Sequence, residues 1–153
     1  MDTVEEGLRP MVTREHLTVD SQLTLLSHIQ EWFRGIYPSL EQQAPWLKTP
    51  RDRHDRLMLA LTEGFTNAVR HAHSGLPTDT AIAIDCALWN DHIEIRIWDQ
   101  GQPFDPETLV EPKPGSLIES GYGWFLLRRC ADEVTYERGE DGRNCLVIVQ
   151  YAS

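Results

Sequence analysis

Three polar residues stand four apart in the stretch Glu63-Gly-Phe-Thr-Asn67-Ala-Val-Arg-His71. A helix rotates by about 100° per residue, so two residues four positions apart differ in direction by only about 40°. The three side chains therefore line one edge of the helix. Asn67 offers an amide oxygen of the kind that Mg²⁺ accepts beside phosphate oxygens and waters. Glu63 could take a proton from an attacking hydroxyl or water. An isolated Glu-x-x-x-Asn is also what a solvated helix face looks like, so the pattern alone decides nothing.

Two further segments carry residue types suited to a nucleotide. The first is Asp99-Gln-Gly101-Gln-Pro-Phe104, which follows an apolar strand. Its aspartate stands at the strand end, where the carboxylate can accept a hydrogen bond from an adenine amino group. The glycine beside it lets the backbone approach a flat ligand. Gly121-Tyr-Gly123 opens a predicted helix, whose N-terminal N–H groups favour phosphate. Taken singly, the first segment is also a common turn and the second a common loop before a helix.

Size and charge narrow the function classes. A chain of 153 residues with 41% hydrophobic content suits one core, and a formal net charge of -10 opposes binding to nucleic acid or an anionic membrane. Three cysteines without paired metal-ligand spacing exclude a complete disulfide framework and favour the cytoplasm. Residues 1–10 lack an apolar segment, so we expect a soluble protein without signal peptide or membrane anchor.

Hydrophobic periodicity predicts strands grouped with a few helices. The predicted strands are 16–19, 80–89, 92–99, 133–138 and 144–151. The predicted helices are one that ends near Tyr37-Pro38, one over 51–73 whose packed face holds Leu57, Leu61, Gly64, Phe65, Ala68 and Ala72, and one over about 123–131. Residues 38–50 are predicted to be a connection, since they hold three prolines. This pattern favours an α/β two-layer sandwich, a mixed and mostly antiparallel sheet with helices on one face.

The order of these segments resembles the GHKL ATPase superfamily with its Bergerat, or histidine-kinase-like, nucleotide fold. Within it, the absence of another domain and the phrases Asp99-x-Gly-x-Pro-Phe and Asp132-Glu-Val-x-Tyr136 look like the anti-sigma-factor serine kinase branch, bacterial switch proteins of the stress-response and sporulation type. The resemblance covers roughly residues 14–151. It implies a flexible N-terminus over 1–13 and a single ATP-binding kinase domain over 14–153.

The resemblance also implies roles for the matching residues. Glu63 corresponds to the catalytic base, Asn67 to the Mg²⁺ ligand, and Asp99 to the adenine-binding aspartate, with Gly101 beside it. Gly121 and Gly123 correspond to the glycines that cover the phosphates. His71 matches a polar position of the branch, where a helix-end cap, a packed histidine and a ligand contact all stay open, while His73 is expected at the surface.

Two departures from the family pattern concern the phosphate site. In the family, the segment 105–120 closes over the phosphates, and here it carries Glu119 close to the glycines and Lys113 as its only basic residue. Gly142-Arg-Asn144 stands where many relatives have a Gly-Thr pair, and Asn144 can still form hydrogen bonds.

The function implied is an ATP-dependent serine/threonine protein kinase that binds a sigma factor and phosphorylates an anti-anti-sigma antagonist, as a homodimer without direct contact to nucleic acid or membrane. The alternative is a catalytically weak or inactive nucleotide-binding regulator that sequesters a protein partner. An ATPase fragment of a sensor histidine kinase fits less well, because no helix pair with a phosphorylatable histidine precedes the motifs.

Overall fold

A five-stranded sheet forms one layer of the fold. The computed structural model describes residues 10–102 and 122–153. The strands are β1 (Thr13–Asp20), β2 (Ala81–Leu88), β3 (His92–Asp99), β4 (Glu133–Arg138) and β5 (Asn144–Tyr151). Their spatial order is β1-β2-β3-β5-β4, and each neighbouring pair is antiparallel. The predicted two-layer, mostly antiparallel architecture is confirmed, and no parallel pair occurs among the described strands.

Alternation along the central strands separates a core face from an outer face. Three alternating isoleucines of β3, Ile93, Ile95 and Ile97, are buried at the core face, and Asp99 ends the same buried row. On the outer face, Asp85 of β2 is paired with Arg14 of β1 at 2.7 Å. Because side chains alternate with a period of two, this pattern fixes which face of the sheet the helices cover.

Two long helices lie against the core face. They are α1 (Leu26–Gln43) and α2 (Arg53–Asn67), and a single 3₁₀ turn, Pro45–Lys48, lies between them. The six apolar residues predicted for the packed face of the second helix are all buried. A short helix, α3 (Tyr122–Cys130), packs beside α2.

The prediction that the first helix ends near Tyr37-Pro38 is wrong. Helix α1 continues through Pro38 to Gln43. Proline removes one backbone hydrogen bond, but Pro38 is exposed, and Tyr37 and Leu40 are buried on either side of it. Packing of these two side chains therefore outweighs the local cost of the proline.

The second helix also differs from its predicted extent. Its α-helical part ends at Asn67, and a π-helical turn follows over Ala68–Ala72. The α-helix therefore gives way to a wider turn after Asn67, and His71 lies within that turn. Near the N-terminus, β1 begins at Thr13, one residue before the predicted start of the domain at residue 14.

Two further observations bear on the class of protein. The cysteines Cys86, Cys130 and Cys145 are free thiols. None of the helices in 10–102 and 122–153 is both long and apolar enough to cross a bilayer.

Candidate functional site

Asp99 ends β3 as a buried carboxylate surrounded by donors. Only 2% of its surface is exposed. Its Oδ1 accepts from the Gly101 N–H at 3.0 Å and from Asn144 Nδ2 at 2.7 Å, and its Oδ2 accepts from the Tyr136 hydroxyl at 2.9 Å. A carboxylate held by three donors has a fixed orientation. The predicted adenine-binding residue is therefore aimed by its neighbours.

Asn144 joins the start of β5 to the loop after β3. It is fully buried, and its Nδ2 also donates to the Gly101 carbonyl at 3.0 Å. Its Oδ1 has no hydrogen-bond partner among the described residues. Asn144 therefore replaces the expected Gly-Thr pair with a direct amide contact to Asp99.

Gly101 lies where the loop meets the end of the π-helical turn. A β-carbon there would stand 1.6 Å from the Ala72 carbonyl oxygen. Such an overlap is impossible, so only glycine fits this backbone approach. Close backbone packing therefore explains why position 101 is a glycine, without any ligand.

His73 holds the same loop from the helix side, and the prediction that it lies at the surface is wrong. The side chain is buried, and its Nε2 accepts a hydrogen bond from the Gln100 N–H at 2.8 Å. Burial lowers the pKa of the imidazole, while nearby Asp99 opposes this shift. A neutral ring that accepts at Nε2 carries its proton on Nδ1. No local pattern predicts this contact, since the bond joins residues 27 positions apart.

Glu63 and Asn67 lie in the last turns of α2 and meet the start of α3. A β-carbon on Gly123 would stand 2.5 Å from Glu63 Oε2 and 3.4 Å from Asn67 Oδ1. The structure therefore brings together three residues that the sequence predicted to share a site. Glu63 is half-buried, and burial raises the pKa of its carboxyl, while Arg70 opposes this shift.

The side-chain oxygens at this site suit a magnesium ion that binds together with a phosphate group. Within the described ranges, no group of three histidine, cysteine, aspartate or glutamate side chains is arranged to hold a metal. Asn67 is buried with its amide oxygen facing Gly123. Because Mg²⁺ keeps several waters and takes phosphate oxygens readily, one amide oxygen beside a bound triphosphate suits it.

A narrow cavity connects these parts of the site. Its walls are Gly64, Asn67, Ala68, Ile97, Asp99, Trp124, Tyr136 and Leu146. A β-carbon on Gly64 would stand 2.6 Å from Ile97 Cδ1, so this glycine lets the helix approach the sheet. The cavity measures about 10 Å³, about the space of one water molecule. Asp99 and Asn67 thus share the walls of one small cavity.

Sequence reasoning missed the role of Tyr136 and did not foresee that Trp124 lines the pocket. Tyr136 belonged to a phrase that carried the family resemblance, but nothing in its spacing connected it to Asp99. Gly121 and the segment 105–120, with Lys113 and Glu119, lie outside the described residues. His71 is half-buried in the π-helical turn.

Comparison with known proteins agrees with this geometry. A family model described as the histidine kinase-like ATPase domain matches residues 38–150. The serine-protein kinase RsbW of Oceanobacillus iheyensis is 36% identical over 86 residues, which are 51% of this chain and 54% of that protein. The RsbW of Halalkalibacterium halodurans is 32% identical over 108 residues, 65% of this chain and 64% of that protein. The chain thus spans about half to two thirds of the length of these relatives.

Solved structures resemble the whole described architecture. The RsbU and RsbW domains of a Mycobacterium tuberculosis protein match 90% of this chain and 31% of that chain, with a TM-score of 0.61 and 17% identity. The SiaB–SiaC complex of Pseudomonas aeruginosa matches 97% of this chain and 96% of that chain, with a TM-score of 0.56 and 14% identity. At these identities the likeness concerns the fold alone. The family match and the similarity to the RsbW proteins confirm the expected resemblance to the anti-sigma-factor kinase branch of the GHKL superfamily.

Proposed function

Because this chain belongs to the histidine kinase-like ATPase domain family, we propose that it binds Mg-ATP and transfers the γ-phosphoryl group to a serine or threonine of a partner protein. The observation that carries this proposal is the meeting of Glu63, Asn67 and Gly123, which puts a carboxylate, an amide oxygen and a helix start within a few ångströms of one another. Phosphoryl transfer needs a base, a metal ligand and phosphate donors in such proximity.

Glu63 acts as the general base. The acceptor hydroxyl oxygen bonds to the γ-phosphorus, its proton passes to Glu63, and the bond to the bridging oxygen breaks so that ADP leaves. Partial burial raises the pKa of the Glu63 carboxyl, which makes it a better proton acceptor than a solvated glutamate. Asn67 holds Mg²⁺, whose charge offsets that of the phosphates.

The remaining predicted residues bind and orient the nucleotide. Asp99 accepts a hydrogen bond from the adenine amino group, and the loop around Gly101 lets the backbone approach the base. The backbone at Gly121 and Gly123 donates to phosphate oxygens at the start of α3, where the helix dipole favours negative charge. Nucleotide binding is thus assigned to two ends of one pocket, with the base at the sheet and the phosphates at the helices.

The partners we propose are a sigma factor, which the protein binds as an anti-sigma factor, and an anti-anti-sigma antagonist, which it phosphorylates. Support comes from the similarity to proteins named serine-protein kinase RsbW. We further propose that residues 14–153 act as one kinase domain, in a cytoplasmic homodimer that controls transcription without contacting nucleic acid itself.

One observation favours the alternative, a nucleotide-binding regulator with little or no kinase activity. The pocket beside Asp99 holds only about 10 Å³, and the Tyr136 hydroxyl already contacts the Asp99 carboxylate. Both features work against a tightly bound ATP, and in this alternative the protein controls its partner by binding it rather than by phosphorylating it.

Phosphorylation of an antagonist tests the choice between the two. Three proteins are each incubated with Mg-ATP and a candidate antagonist: the parent, Glu63→Ala and the control Glu31→Ala. The control alters an exposed glutamate of α1. Mass spectrometry then maps the phosphorylated residues of the antagonist. We expect phosphoserine or phosphothreonine with the parent and the control, and a rate lower by about 10²–10⁴-fold with Glu63→Ala. Equal rates for all three proteins would contradict the assignment of Glu63.

A further inference from the structure

Tyr136 contacts the carboxylate that selects the base. It lies on β4 opposite Leu146 of β5, on the face of the sheet that the helices cover. Its hydroxyl donates to Asp99 Oδ2 at 2.9 Å. Burial and the nearby Asp99 charge raise the pKa of the phenol, so the hydroxyl keeps its proton and remains a donor. The contact is therefore present throughout the neutral pH range.

The Oδ1 oxygen of Asp99 has no lone pair left for another donor. Oδ1 accepts from both the Gly101 N–H and Asn144 Nδ2, and these contacts come from backbone and from a fully buried side chain. A carboxylate oxygen has two lone pairs, so Oδ1 is saturated. An incoming amino group must therefore use Oδ2, where the Tyr136 hydroxyl already takes one of the two lone pairs and the Tyr136 side chain lines the adjoining cavity.

The size of the cavity beside Asp99 also indicates that Tyr136 must move when a base binds. The cavity bounded by Tyr136, Trp124 and Asp99 measures about 10 Å³, and a purine ring is many times larger than one water molecule. The other walls belong to the helix–sheet core, where Gly64 already lets α2 approach Ile97 closely. Tyr136 comes from β4, which is an edge strand, and its side chain is only half-buried. Among the described walls, this side chain is the one whose rotation opens the pocket with least disturbance to the core.

We propose that Tyr136 is a residue of the base site that determines nucleotide affinity: its hydroxyl competes with the purine amino group for Asp99 Oδ2, and the nucleotide binds by displacing the Tyr136 side chain. This inference rests on the proposed nucleotide-binding function. The competition makes affinity lower than the pocket's other contacts would allow, because one buried hydrogen bond to a carboxylate is broken for each nucleotide bound.

Calorimetric titration of Tyr136→Phe with Mg-ADP and Mg-ATP tests the inference. The variant lacks the competing donor, and its Asp99 Oδ2 gains a partner only when a nucleotide binds, so we expect a Kd about tenfold lower than that of the parent. Tyr37→Phe is the matched control, since it also removes a buried hydroxyl, one that donates to the Leu47 carbonyl away from the pocket. The control should bind like the parent.

A second variant removes the ring as well as the hydroxyl. Tyr136→Val keeps a residue that favours strands and enlarges the cavity, so nucleotides should bind at least as tightly as to Tyr136→Phe. Circular dichroism and thermal unfolding show which variants are folded, and the comparison uses those. An unchanged or higher Kd in the folded variants would overturn the inference.

Asp99→Asn separates failure of this inference from failure of the proposed function. If the parent and Tyr136→Phe bind equally and Asp99→Asn binds weakly, the base site is real and Tyr136 does not compete for it. If no folded protein of the set binds either nucleotide, the proposed function fails and the inference fails with it.

Discussion

Replacing Gly101 with alanine tests whether the Asp99 loop is held against the end of the π-helical turn. The new β-carbon would stand 1.6 Å from the Ala72 carbonyl oxygen, and ordinary van der Waals contact begins near 3.4 Å. The loop and the turn must therefore move apart by about 1.8 Å, the difference between these two distances. Because the alanine β-carbon and the carbonyl oxygen are both fixed to the backbone, no side-chain rotation relieves the overlap.

The expected cost follows from the contacts that this movement breaks. They are the bond from the Gln100 N–H to His73 Nε2 and the bond from Asn144 Nδ2 to the Gly101 carbonyl. Losing two such hydrogen bonds, with some of their partners left buried, costs about 2–4 kcal/mol. This is a large part of the roughly 5–15 kcal/mol by which domains are stable. Since Asp99 would lose its fixed position, nucleotide binding should weaken as well.

Urea denaturation followed by circular dichroism measures the change. Gly35→Ala is the matched control, because Gly35 lies within α1 with no atom within 4 Å of an added β-carbon. Alanine in an exposed helix interior should raise the unfolding free energy by about 0.5–1 kcal/mol. An unfolding free energy of Gly101→Ala within about 0.5 kcal/mol of the parent, on the scale of an ordinary surface substitution, would refute the reasoning.

Two further predictions use titrating groups of the site. Burial raises the pKa of Glu63, so ionising it weakens the fold as pH rises above the ordinary value of 4.5. Urea titrations of Glu63→Gln should therefore show a gain in stability over the parent that grows above that pH, whereas radiolabelled phosphoryl transfer falls about 10²–10⁴-fold. Burial lowers the pKa of His73, so the unfolded chain binds a proton that the folded one does not, and stability falls as pH drops below 6.5. The His73 contribution, at most about 1.4 kcal/mol per pH unit, should be missing from the same pH series with His73→Gln. A flat difference between each variant and the parent across the pH series would contradict the corresponding assignment.

Local geometry explains which parts of the site could be read from the sequence. Glu63 and Asn67 are one helical turn apart, and that spacing fixes their common edge whatever the rest of the chain does. The alternating isoleucines of β3 likewise fix its core face. The wider π-helical turn after Asn67 carries no comparable signal, so the sequence pattern did not predict that the α-helix ends there.

Contacts between distant segments account for what the sequence could not predict. Tyr136 and Asn144 reach Asp99 across 37 and 45 positions, and they do so because β5 lies between β3 and β4 in the sheet. The sequence predicts His73 at the surface, but the close approach of the loop after β3 buries it. Pro38 shows the converse, since a strong local signal for a helix end was overridden by packing on both sides.

The central claim is that Asp99 anchors a nucleotide in the pocket, and calorimetric titration of Mg-ATP into the parent and Asp99→Asn tests it most directly. Asp85→Asn serves as control, because Asp85 is also buried but pairs with Arg14 on the outer face of the sheet. We expect saturable binding to the parent and the control, and binding weaker by about tenfold or more to Asp99→Asn. Absence of binding to the folded parent, or equal binding to parent and Asp99→Asn, would contradict the account.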